Sequence, residues 1–102
     1  MAYEVEFSPE AEEELEFLTD YQLGRLEDEI DRKLRHQPLV RTKNRFPMKP
    51  NAKALWELRA DPLRVYYDVV GITVRIKGVG IKDGNKLRIG GRLIDLSEYL
   101  NG

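Results

Sequence analysis

Tyr3, Val5 and Phe7 alternate with Glu4 and Glu6 near the start of the chain, the period of a strand with one face toward a core. Ser8-Pro9-Glu10 follows, giving an N-cap serine, a proline suited to the first helical position and an acid for the positive helix end. Ala11, Leu15 and Leu18 then recur at helical spacing, with Glu12, Glu13, Glu14 and Glu16 turned toward water or the dipole, which predicts a short helix ending near Thr19. Thr19-Asp20-Tyr21-Gln22 has the form of a capping box and opens a second helix. Its buried stripe is Leu23, Leu26, Ile30 and Leu34, and its charges are sorted, with Glu27, Asp28, Glu29 and Asp31 early and Arg32, Lys33 and Arg35 late, as the macrodipole favours. Pro38 closes it, so the two helices form a hairpin with almost no loop.

From Ala54 the period is two. Trp56 and Leu58 alternate with Glu57 and Arg59, and Asp61-Pro62 makes a turn. Leu63, Val65, Tyr67 and Val69 then share a face opposite Arg64, Tyr66 and Asp68; Gly71 marks a second turn; Ile72, Val74 and Ile76 oppose Thr73, Arg75 and Lys77. Three strands on short connections predict an antiparallel meander. Lys86–Ile89 and Arg92–Asp95 flank Gly90-Gly91, a two-residue hairpin signal. No helix follows the glycines directly, so they read as a turn and not as a phosphate cradle. Leu96–Leu100 reads either as a tail helix or as a simple end. The fold class that results is α+β: an N-terminal strand, then a helical hairpin packed on one face of an antiparallel β-meander sheet, in one domain over residues 1–102.

Charge changes this picture. The first 31 residues hold 12 of the 18 acids and one base, Arg25, a charge of −11, whereas the remaining 71 hold 16 bases and 6 acids, a charge of +10. The net charge of −1 hides this polarity, which suits a domain with one surface toward a polyanion. Cysteine is absent and His36 is the single histidine, so disulfides, thiolate sites and the usual zinc arrangements are excluded and no metal or cofactor is expected. No stretch approaches the ~20 apolar residues of a membrane span, and the first residues lack the pattern of a secretory signal; a cytoplasmic protein with no membrane partner is expected.

The face not covered by the helices carries Glu57, Arg59, Arg64, Tyr66, Asp68, Thr73, Arg75 and Lys77 if the polar sides of the strands coincide. A wet sheet laced with cross-strand ion pairs explains such a set. So does phosphodiester chemistry, which needs cations for charge on phosphate, a proton acceptor and an aromatic platform. Residues 38–51 carry Arg41, Lys43, Arg45 and Lys49 with three prolines and no acid, and read either as a solvated connection or as a basic arm on phosphate. His36 suits the negative end of the second helix, and Trp56 reads as a core anchor or as a base-stacking platform.

Leu55-Trp56-Glu57-Leu58-Arg59, Arg64-Val65-Tyr66-Tyr67-Asp68 and Val79-Gly80-Ile81-Lys82, in a β-α-α-β-β-β order, resemble toxins of the RelE/ParE superfamily of bacterial toxin–antitoxin modules. The RelE branch of this resemblance implies a ribosome-dependent mRNA endonuclease that inhibits translation, in which a ribose 2′-OH attacks the adjacent phosphate without a metal. Arg64 matches the strand arginine that stabilises the transition state, and Lys82 matches a basic position where other members carry arginine. The family's lysine pair would fall at Leu55 and Glu57, and its late tyrosine near Arg88, so these positions depart from the pattern. Glu57 is then the candidate proton acceptor and Arg59 its support, while Lys43, Arg45, Lys49, Lys53, Arg75, Lys77, Lys86 and Arg88 are candidate contacts to RNA phosphates. The ParE branch implies instead a non-enzymatic inhibitor of DNA gyrase. A third alternative is an inactive homologue retained as a binding module. Every version implies a cognate antitoxin whose acidic or amphipathic segment wraps the cationic groove and the helical hairpin.

Overall fold

The computed structural model describes residues 2–101. Strand β1 (Glu4–Phe7) leads into helix α1 (Pro9–Leu15) and helix α2 (Asp20–Glu29), which continues as a π-helical turn over Ile30–Leu34. Strands β2 (Arg45–Pro47), β3 (Trp56–Ala60), β4 (Leu63–Val70), β5 (Thr73–Asp83), β6 (Lys86–Ile89) and β7 (Arg92–Asp95) follow, and α3 (Leu96–Asn101) ends the described chain.

The helix signals act as the side chains dictate. Ser8 Oγ accepts the Ala11 N–H at 3.1 Å, and in the capping box Thr19 Oγ1 accepts from Gln22 N at 3.1 Å while Gln22 Oε1 accepts from Thr19 N at 2.9 Å. Helix α1 stops at Leu15, short of Thr19. The π turn, closed by Arg35 N donating to Ile30 O at 3.1 Å, keeps Leu26, Ile30 and Leu34 in the buried stripe although they are four residues apart. Such underwinding keeps residues at that spacing aligned where an α-helix would drift.

Strands β2 to β7 lie in sequence order as an antiparallel meander, and β1 pairs in parallel with β5. Sequence periodicity missed both β2 and this parallel pairing. Gly90 and Gly91, at φ 58° and 78°, form the β6–β7 turn, the left-handed pair that a two-residue hairpin requires. Beneath the helices the main core joins Ala11, Leu26, Ile30 and Leu34 to Leu58, Val65, Tyr67, Val74, Ile76 and Val79, with Trp56 packed against it. Trp56 stacks on Tyr67 with centroids 6.1 Å apart, and the Tyr67 hydroxyl donates to Pro38 O at 2.6 Å.

The other face of the sheet is not simply open. Tyr66, Leu87, Ile89 and Ala54 form a second core, covered by Met48, Ile94, Leu96, Tyr99 and Leu100. Two glycines make this closure possible: a Cβ on Gly78 would lie 1.7 Å from the Tyr99 hydroxyl, and one on Gly80 would lie 3.0 Å from Leu87 Cγ. Alternation along a strand does not reveal whether a distant segment, here chiefly α3, packs over its polar side, which is why an exposed face is the sequence expectation here.

Candidate functional site

The β3–β4 register sets Arg59 directly opposite Arg64 and Glu57 opposite Tyr66. Two like charges facing each other across an antiparallel pair repel, and Glu57 resolves the conflict. Its Oε2 lies 2.7 Å from Arg59 Nε and 3.7 Å from Arg64 Nε. Glu57 and Arg64 are buried, at 5% and 8% exposure, so this carboxylate and guanidinium neutralise each other where water is scarce. Arg59 is more open and rests over the Phe46 ring at 4.9 Å, a cation–π contact that places β2 beside the site.

Arg64 has a second anion, from a residue that the sequence marks only as part of a turn. Its Nη1 lies 2.7 Å from Asp61 Oδ1 and also donates to Leu63 O at 2.9 Å. Asp61 sits in the β3–β4 turn with its side chain 85% exposed. The turn is pinned from both sides, by Arg25 donating to Asp61 O and by Lys82 N donating to Pro62 O at 2.8 Å. Lys82 is two residues beyond Gly80, the partner of Arg64, and so shares its face by strand alternation. The Lys82 ammonium donates to Gly84 O rather than reaching Glu57. The structure therefore brings Glu57, Arg59 and Arg64 into contact and leaves Lys82 beside them.

Tyr66 is fully buried against Tyr99, centroids 5.4 Å apart, and is no platform for a base. Burial, then the neighbouring Glu57, pushes its hydroxyl far above the ordinary phenol range, so it stays protonated. Burial raises Tyr99 in the same way. Glu14, expected to face water, accepts the Val79 N–H at 2.9 Å, in the stretch of β5 edge between the β1 and β6 pairings. Burial raises its carboxyl above the ordinary value, and the Val79 hydrogen bond partly offsets that.

The candidate phosphate contacts fall into three groups. Lys43 and Lys49 are exposed in the segments flanking β2, and Lys77 is half-buried at the β4–β5 register shift. Arg75, Lys86 and Arg88 are exposed but face carboxylates, at 2.8 Å from Glu6, 3.9 Å from Asp95 and 3.8 Å from Asp83 respectively. Lys53 is mostly buried, 3.1 Å from Glu10 and 4.8 Å above the Tyr99 ring. Arg45 departs most from expectation: it is 5% exposed, and its guanidinium donates to Val40 O at 2.6 Å and Lys33 O at 3.1 Å. It ties β2 to the end of α2 and has no free fork for RNA. Asp68 is half-buried and accepts from Leu55 N at 2.7 Å at the surface, and His36 is exposed just past the π turn.

A cleft of about 860 Å³ lies between α1 and the C-terminal hairpin, lined by Glu10, Glu13, Glu14, Lys53, Arg92 and Tyr99 among others. It is separate from the arginine pair. Among the described residues no helix is long and apolar enough to cross a membrane.

No protein-family model matches the chain, and no curated protein matches it. Among solved structures it is similar to a chain of the RelBE2 toxin–antitoxin complex from Mycobacterium tuberculosis, at 22% identity and a TM-score of 0.67, with 80% of this chain and 100% of that one covered. At that identity the likeness is one of fold, and the protein has the RelE-like fold.

Proposed function

We propose that this RelE-like chain is the toxin of a type II toxin–antitoxin module and acts as a metal-independent endoribonuclease on mRNA at the ribosome. One observation carries the reading: a buried guanidinium, Arg64, is held on a sheet face beside a carboxylate, Glu57, that also pairs with a second arginine. The similarity in fold to a chain of a toxin–antitoxin complex supports the same reading. In the reaction the ribose 2′-oxygen forms a bond to the adjacent phosphorus and the bond to the 5′-oxygen breaks, leaving a 2′,3′-cyclic phosphate and a 5′-hydroxyl. Glu57 takes the 2′-OH proton, the departing 5′-oxygen takes a proton from water, Arg64 and Lys82 stabilise charge growing on the phosphoryl oxygens, and Arg59 holds Glu57 in place. Lys43 and Lys49 add affinity independent of sequence. The partner is an antitoxin that covers this face in the resting complex.

A second reading has its own support. Arg59 and Arg64 are already neutralised by Glu57 and Asp61, which suits a ParE-like protein that inhibits gyrase by binding alone. Incubating the purified chain with translating ribosomes in one reaction, and with gyrase and relaxed plasmid in another, separates the two. The RNase reading expects message cleavage reduced about 100-fold or more by Arg64→Ala and normal supercoiling. Intact message with blocked supercoiling would transfer the assignment to gyrase.

A further inference from the structure

Arg64 has two anionic neighbours of unlike character. Glu57 approaches Nε from inside the protein, from a buried position on a strand. Asp61 approaches Nη1 from outside, from an exposed side chain in a turn. Among the described residues the remaining nitrogen, Nη2, donates no hydrogen bond. A guanidinium binds carboxylates and phosphates through the same parallel N–H fork, so a group that binds through Nη1 and Nη2 must first take the place of Asp61. The turn is built to keep this carboxylate at hand, since Arg25 holds the Asp61 carbonyl from α2 and Lys82 N holds the Pro62 carbonyl from β5. Only the Asp61 side of the pair is exposed, at 85% against 10% for the Arg64 side chain, so water screens part of the attraction and the carboxylate that leaves is solvated as it goes.

We propose that the Asp61 carboxylate is a resident substitute for the RNA phosphate, occupying the outer edge of Arg64 until a phosphodiester displaces it. The inference rests on the reading that Arg64 meets RNA phosphate, and it adds a residue that sets the threshold for binding. Glu57 stays in place during the exchange. Asp61 swings out into solvent while its backbone stays anchored, so the guanidinium is never left without an anion. A weak or transient phosphate contact fails to displace the carboxylate; a strand held by further contacts, as on a ribosome, succeeds. Asp61 acts through Arg64 and touches no reacting atom.

The test is a double-mutant cycle on binding of a 2′-O-methyl RNA oligonucleotide, which cannot undergo 2′-attack. Wild type, Asp61→Asn, Arg64→Ala and the double variant are titrated with the labelled oligonucleotide. Asp61→Asn is isosteric and exposed, so the fold is retained. The expected result is roughly fivefold tighter binding by Asp61→Asn, weaker binding by Arg64→Ala, and no gain from Asp61→Asn when Arg64 is absent. A gain that persists without Arg64 reports general charge removal and overturns the inference. Unchanged affinity in Asp61→Asn while Arg64→Ala loses binding also overturns it and leaves the phosphate role of Arg64 standing. Equal binding by wild type and Arg64→Ala, or no binding by any of the four proteins, defeats the RNA reading itself and the inference with it.

Discussion

At the scale of single residues, a basic side chain in a proline-rich loop has no fixed meaning until its partners are known. Arg45 and Lys43 stand two positions apart in the same acid-free segment, yet one is a buried brace and the other is exposed. Arg45 donates to two carbonyls beyond its own strand, and hydrogen bonds from charged groups are worth more than neutral ones. Arg45→Ala is therefore expected to lower stability by about 3 kcal/mol, seen as a lower urea midpoint, whereas Lys43→Ala leaves the midpoint unchanged within error. Equal, small effects in the two variants would remove the bracing role. Glu57 and Arg64 show the converse: their types and spacing were legible as a possible site, but the exposed partner Asp61 was not, because an Asp-Pro turn carries the same signal whether or not its carboxylate reaches an arginine.

At the scale of elements, α3 is the part that distance along the chain concealed. It covers Tyr66 through Tyr99, over the gap that Gly78 leaves. Gly78→Ala would put a methyl group where the Tyr99 hydroxyl lies, and overpacking of this kind costs about 1–3 kcal/mol. Faster amide exchange across residues 96–101, with little change in α1 and α2, is the expected outcome; uniform exchange throughout would mean that α3 does not depend on that contact. The capping box, the helix stripe, the meander and the Gly90-Gly91 turn were legible because each is a local rule written in neighbouring residues. Strand β2 was not, since three residues ending in Pro47 show no period to read. The parallel β1–β5 pairing was hidden for another reason: alternation reports a half-buried strand, not its neighbour or direction.

At the scale of the whole molecule, the polarity of the sequence is only partly a polarity of the fold. Acids from the N-terminal segment cross to bases of the other, Glu6 to Arg75 and Glu10 to Lys53, so the cationic surface is smaller than the +10 of its segment suggests. What remains around Arg64 is a nearly neutral cluster of two guanidiniums and two carboxylates, with Lys82 adding a positive charge on the same face. On the proposed function, attraction to a polyanion comes from a few lysines such as Lys43 and Lys49, and cutting one rests on Arg64. The most direct test is to express the chain in bacteria, wild type and Arg64→Ala, and to map the 5′ ends of cellular messages. New 5′ ends inside translated codons that appear with wild type and vanish with Arg64→Ala are the predicted result. Messages left intact during growth arrest by the wild-type chain would contradict the account.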